Sequence, residues 1–190
     1  MANKDAAFGL KPIGKVGQNR DNQGLSEYSI AARSTAIYQN DPVQALATGY
    51  IGVQNTTTGV ILGSLNGVFY TDASSSKPTW ANHLAGSNTA TDIVGFVADD
   101  PYERFEIQSN NAGASAQTDV GNNADIAYTA GATPNYISKV ELNDASLVAT
   151  TAQLKIVGVS KDPDNSDLAS ANVNWVVTIN EHFLKQTAGI

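Results

Sequence analysis

Apolar and polar residues alternate along this chain in short runs of four to eight positions, most clearly between residues 27 and 179. A period of two is that of a β-strand with one face buried. Residues 27–31 (EYSIA) set Tyr28 and Ile30 on one face. Residues 35–39 (TAIYQ) follow and stop at Asn40-Asp41-Pro42, where Asn and Asp side chains bond nearby backbone and Pro42 disfavours helix before it. In 59–70 (GVILGSLNGVFY) two apolar runs flank Asn66-Gly67, a pair suited to the positive φ angles of a tight hairpin turn, so a hairpin is predicted there. Residues 93–98 (IVGFVA) read as a buried strand ended by Asp99-Asp100-Pro101, and 104–108 (RFEIQ) places Phe105 and Ile107 inward. Residues 137–142, 153–159 and 173–179 complete the series, the last with Val173, Trp175, Val177 and Ile179 on one face.

Between these runs, 73–92 and 109–124 are rich in Ser, Asn, Gly and Thr and read as long surface loops, the kind that carry contacts. Residues 144–151 (DASLVATT) allow a short helix, which their β-branched members weaken. About nine strands separated by turn signals predict an all-β protein: a sandwich, jelly roll or partly closed barrel, with no βαβ pattern. A chain of 190 residues has room for one such body, taken as 25–190. Ahead of it, 1–24 shows little periodicity and ends in the polar run 18–23 (QNRDNQ), so it reads as an extended docking arm whose anchors are Phe8, Leu10, Ile13 and Val16.

Charge narrows the partners. The net charge is −7, yet residues 1–33 hold Lys4, Lys11, Lys15, Arg20 and Arg33 against Asp5, Asp21 and Glu27, a mildly basic arm before an acidic body. Phosphate binding needs cations gathered on one face, so nucleic acid and acidic membranes are not expected partners. No cysteine is present, which removes disulfides and thiolate metal sites. Residues 1–10 lack an apolar run of signal-peptide length, and nothing approaches the ~20 apolar residues of a membrane span. The expectation is a soluble protein made in a host cytoplasm.

Candidate chemistry is sparse. Residues 9–15 (GLKPIGK) have the glycine and lysine spacing of a phosphate-binding loop, but Val16 stands where Mg²⁺ needs a hydroxyl and Pro12 lacks an amide donor. His83 and His182 read as structural, hydrogen-bonding histidines, with no G-x-S-x-G sequence to supply a nucleophile. Asp162, Asp164 and Asp167 offer oxygen ligands at a loop spacing that calcium accepts, but Asx turns explain the run without metal. Asp99, Asp100, Glu103 and Glu106 read as a solvated strand face beside Phe105 and Ile107. Trp80 and Tyr102 lie near loops and would suit sugar stacking or a protein interface, whereas Trp175 reads as core. No cofactor is expected.

Several stretches taken in order resemble the head decoration, or cement, proteins of tailed bacteriophages: Ala7-Phe8-Gly9-Leu10-Lys11-Pro12, 37–43 (IYQNDPV), 62–72 (LGSLNGVFYTD), 97–108 (VADDPYERFEIQ), 119–125 (DVGNNAD) and 153–182 with Asn180-Glu181-His182 near its end. The resemblance implies a non-enzymatic virion structural protein on the outer capsid surface. Its expected partners are the major capsid protein and itself, as a homotrimer. In that setting the arm would contact capsid or neighbouring protomer through Phe8, Leu10, Pro12 and Ile13, with Lys11 and Lys15 meeting acidic groups. Removal of residues 2–16 would then leave a folded body that no longer occupies capsids. From another class, the rival is a carbohydrate-binding receptor module of a phage tail or fibre centred on Trp80. A shell-forming protein and a hydrolase fit less well, for want of a long helix and of a positioned base.

Overall fold

The computed structural model describes residues 2–17, 24–111, 114–187 and 189; the polar run 18–23 lies outside the described residues. Among the described residues the chain is all-β, consistent with a β-sandwich. Twelve strands form two antiparallel six-stranded sheets. The first sheet holds β1 (Lys11–Lys15), β8 (Glu103–Gln108), β12 (Asn174–Ile179), β11 (Leu154–Val159), β9 (Asn123–Ala127) and β10 (Glu141–Val148), in that spatial order. The second runs β2 (Ser26–Ser29), β7 (Val94–Ala98), β5 (Gly63–Thr71), β3 (Pro42–Ala45) and β4 (Ile51–Val53), with β6 (Pro78–Ala81) paired to β5. No helix of the described residues is long and apolar enough to cross a membrane.

Each sheet builds its own core. Phe105, Ile107, Leu154, Ile156, Trp175, Val177 and Ile179 make the core of the first, joined by Leu10. Ile30, Val43, Ile51, Leu65, Val68 and Val97 make that of the second, and Tyr128 packs against both. Consecutive residues stitch the two cores together: Ile61 enters one and Leu62 the other, as do Ala98 and Val97. Adjacent strand residues point to opposite faces, so a strand between two cores feeds both. Each such buried side chain stabilises by roughly 1.5 to 3 kcal/mol.

Three expectations from the sequence are corrected. Asn66-Gly67 makes no hairpin turn: β5 runs through it for nine residues, with an irregularity in its pairing to β7 between Leu65 and Gly67. A Cβ at Gly67 would lie 2.7 Å from the Trp80 ring, so glycine serves a close approach here. The hairpin turn comes later. The Asp72 carboxylate accepts the amides of Ser74 and Ser75 at 3.1 and 2.7 Å, and the Asp72 amide donates to the Lys77 carbonyl at 2.9 Å. Residues 144–148 belong to strand β10 and not to a helix. The strand count also exceeds nine, because 73–92 contains β6, 123–127 forms β9, and 42–53 holds β3 and β4.

The N-terminal segment is held against the body. Residues 11–15 form edge strand β1, paired with β8, and the residues before it are clamped to the body by amide side chains. Gln108 accepts the Ala6 amide at 2.9 Å and donates to the Lys4 carbonyl at 2.9 Å, while Asn165 donates to the same carbonyl at 2.8 Å. Asn40 donates to the Phe8 carbonyl at 3.0 Å, and its own carbonyl accepts the Leu10 amide at 2.9 Å. Gly9, at φ +76°, sits against the Asn40 carbonyl and the Ser138 side chain, where a Cβ would collide with both. A segment with weak periodicity is thus held by backbone hydrogen bonds to distant side chains, which leave no mark on its own sequence.

Candidate contact face

The second sheet turns an apolar surface outward. Direct cross-strand partners share a face, and register therefore lays out a grid: Trp80, Phe69 and Val94 in one row with Ser29, and Gly67, Phe96 and Glu27 in the next. Trp80 is 57% exposed and Phe69 42%, while Val94 and Phe96 are half-buried. The bare backbone of Gly67 lets the Trp80 ring lie over it, which keeps the indole low on the sheet. Opposite parity fills the core, with Val68 and Leu65 fully buried. Thr71 and Asp92 continue the grid, the Asp92 carboxylate accepting the Thr71 amide at 3.1 Å. Those bonds to Thr71 hold its pKa below the ordinary aspartate value, so Asp92 is ionised at neutral pH. Glu27 and Asp92 thus flank an aromatic and aliphatic centre.

The six residues expected to reach a capsid or a protomer are placed unequally. Leu10 is 0% exposed and belongs to the first sheet's core. Phe8 is half-buried under the Lys11 ammonium, 5.8 Å from the ring centre. Pro12 faces Phe105 across β8 and lines a small cavity of about 80 Å³ with Leu25, Ala98 and Glu103. Ile13 is exposed at a bulge. Lys11 and Lys15 already have partners in their own chain: Glu106 at 3.4 Å and Asp100 at 2.7 Å.

The acidic stretch 99–106 is not a solvated face. Glu103 shares parity with Phe105 and Ile107 and is 3% exposed, and burial pushes its carboxyl up to about 7 against the opposing pull of Lys15 and the Gly14 amide. Glu106 points outward but is covered by Lys11 and the Ser160 hydroxyl, which donates to it. Asp99 accepts the hydroxyls of Ser26 and Tyr28 at 2.8 and 2.6 Å, tying the β7–β8 turn to β2.

The histidines are held by local bonds. His83 stacks on Tyr136 at 3.9 Å between ring centres, and its Nδ1 lies 3.1 Å from the Asn82 side-chain oxygen. His182 is buried, its Nδ1 accepts the Leu184 amide at 3.1 Å, and burial first and Lys185 second lower its pKa to about 4. In the aspartate loop, Asp162 and Asp167 accept the amides of Asp164 and Ala169 at 3.0 Å each, as Asx turns do. No group of three or more His, Asp or Glu side chains gathers for a metal ion among the described residues. Trp175 lies in the core, and the exposed ring of Tyr102 sits under Lys185 at 5.1 Å.

Phe69, Val94 and Phe96 are residues of the candidate face that sequence reasoning missed. The signal was available: both parities of 93–98 and of 67–70 are apolar, a sign that the outer face is covered or awaits cover. Comparison with protein-family models, curated proteins and solved structures finds no match to this chain.

Proposed function

We propose that this chain is a non-enzymatic structural protein of a tailed-phage head, seated on the outer capsid surface as an oligomer and stabilising the shell by contact with the major capsid protein. The observation that carries this reading is the apolar outer face of the second sheet, where Trp80 and Phe69 stand exposed side by side next to half-buried Val94 and Phe96. Exposed aromatic patches with a polar margin suit protein interfaces. The sequence resemblance supplies the setting, and with it a trimer.

The physics of the role is linkage. A protein that binds only the assembled, expanded shell stabilises that state by mass action, and several modest contacts acting together gain ~10²-fold or more in avidity. Because Leu10, Lys11 and Lys15 are committed within the chain, the sheet face rather than a free arm is the principal contact surface. Quantitative mass spectrometry of purified virions tests the location: a copy number in fixed ratio to the major capsid protein supports it, and mature virions without the chain refute it.

The broad exposed indole of Trp80 gives a second reading, a saccharide-binding module, since aromatic faces stack on sugar rings. Glycan-array binding that disappears in Trp80→Ala would favour it.

A further inference from the structure

A cavity of about 80 Å³ lies between the two sheets, walled by Pro12 of β1 and Glu103 of β8 on one side and by Leu25, Asn66 of β5 and Ala98 of β7 on the other. Gly24 and Leu25, just ahead of edge strand β2, are exposed at its mouth. Pro12, Leu25 and Ala98 give it apolar walls. Glu103 gives it a carboxyl: the residue is 3% exposed, and its Oε1 is buried without a hydrogen-bond partner among the described residues. A carboxyl oxygen left unpaired against apolar walls costs free energy, so an orphan of this kind calls for a cause.

The charged groups that bear on this carboxyl leave it without a cation of its own. Lys15, its cross-strand neighbour on β1, sits 2.7 Å from Asp100 in the turn ahead of β8, and among the described residues it forms no ion pair with Glu103. Lys15 and Asp100 largely cancel, and the Gly14 amide adds a weaker pull. Folding has already taken the carboxyl out of water, so only the desolvation of an incoming cation opposes pairing with it, and the low polarity of the walls strengthens the pair. Size limits the guest. At about 80 Å³ the cavity is roughly half the ~150 Å³ that holds a benzene ring, room for about three or four heavy atoms. A guanidinium brings five donors in a rigid plane and would leave several unmet here, whereas a primary ammonium brings three that rotate freely.

We propose that this cavity binds a primary alkylammonium group, the nitrogen donating to Glu103 Oε1 and to an oxygen of Asn66, and the methylenes packing on Pro12, Leu25 and Ala98. A free short amine and the tip of a lysine side chain on another protein offer the same chemistry. The inference is independent of the second sheet's outer face and of where the chain resides.

Titration with ethylammonium chloride at constant ionic strength, followed through the amide NMR signals of Gly14, Gly24 and Ala98, tests it. The wild type should saturate at pH 8, and Glu103→Gln, which keeps the shape and loses the charge, should bind ~10-fold more weakly or less. Leu25→Trp, a change at an exposed position that fills the mouth, should block binding with the carboxyl untouched; should Glu103→Gln misfold, this variant decides alone. Ethylammonium stays charged in this range, so affinity should rise about tenfold per pH unit between about pH 5 and 7, as Glu103 gives up its proton, and then level off. Tetramethylammonium, a cation without N–H donors, should shift nothing. Equal binding by wild type and either variant, an affinity that is flat from pH 5 to 8, or no saturable binding at any pH, which would leave the cavity to water, overturns the proposal. A capped lysine peptide separates the sources: the site stands if ethylammonium binds, with a protein lysine as the guest where the peptide binds too and a free amine where it does not.

Discussion

Gly9 shows how one residue fixes a segment. Its φ of +76° and the Asn40 carbonyl and Ser138 side chain pressed against it leave no room for a Cβ. Gly9→Ala combines backbone strain with a clash and should cost about 2 kcal/mol or more, read as a lower urea midpoint at an unchanged slope. Glu103 is a second such residue. Its folded pKa, near 7, is raised above the ordinary glutamate value chiefly by burial. A raised carboxyl pKa contributes stability that is fully present below the unfolded value and is lost as pH rises through the folded one. Glu103→Gln should therefore melt at the same temperature as the wild type near pH 4 and higher at pH 8, by an amount on the order of 2 kcal/mol; equal melting at pH 8 would refute the buried carboxyl. The parity of Glu103 with Phe105 and Ile107 was legible in the sequence. What misled was its charge, since burying a carboxylic acid is affordable only when it holds its proton.

At the scale of elements, β1 and the clamped residues before it decide how the N-terminal segment behaves. Deleting residues 2–16 removes the edge strand of the first sheet, empties the site of Leu10 and takes away the Lys4 carbonyl to which Gln108 and Asn165 both donate. The melting temperature should fall by roughly 10 °C or more, given ~2–4 °C per kcal/mol for a chain of this size; a truncated body as stable as the full chain would refute the packing. Gln108→Ala, which loses bonds to Ala6, Lys4 and Asn174, should cost about 1–3 kcal/mol and speed cleavage near residue 5 by added protease. Most strands were legible because a half-buried strand writes its period into the sequence, as β8 and β12 do. The strap was not, because its partners lie up to 164 residues away. Asn66-Gly67 misled because a glycine that admits a neighbouring ring has the same local sequence as one that turns the chain.

For the whole molecule, opposed titrations shape stability. Asp41, fully buried and pushed up to about 6 by that burial, loses stability as pH rises, as Glu103 does. His182, lowered to about 4, acts in the other direction: its contribution is present above its ordinary value and is lost as pH falls toward 4. The two raised carboxyls outweigh the one histidine, so together these groups lower stability as pH rises from about 4.5 to 7, which thermal melts from pH 4 to 9 will show; a steady rise to pH 9 would contradict the buried carboxyls. The all-β class followed from alternation, but the apolar outer face emerges only when register sets Phe69 beside Trp80 and Val94. The central claim is that the protein works by surface contact within a phage head. Its most direct test is co-sedimentation of purified protein with expanded heads that lack it, comparing wild type with Phe69→Ser, Trp80→Ser. The account predicts saturable wild-type binding that the variant loses by ~10²-fold. Equal binding of both proteins, or none by either, would contradict it.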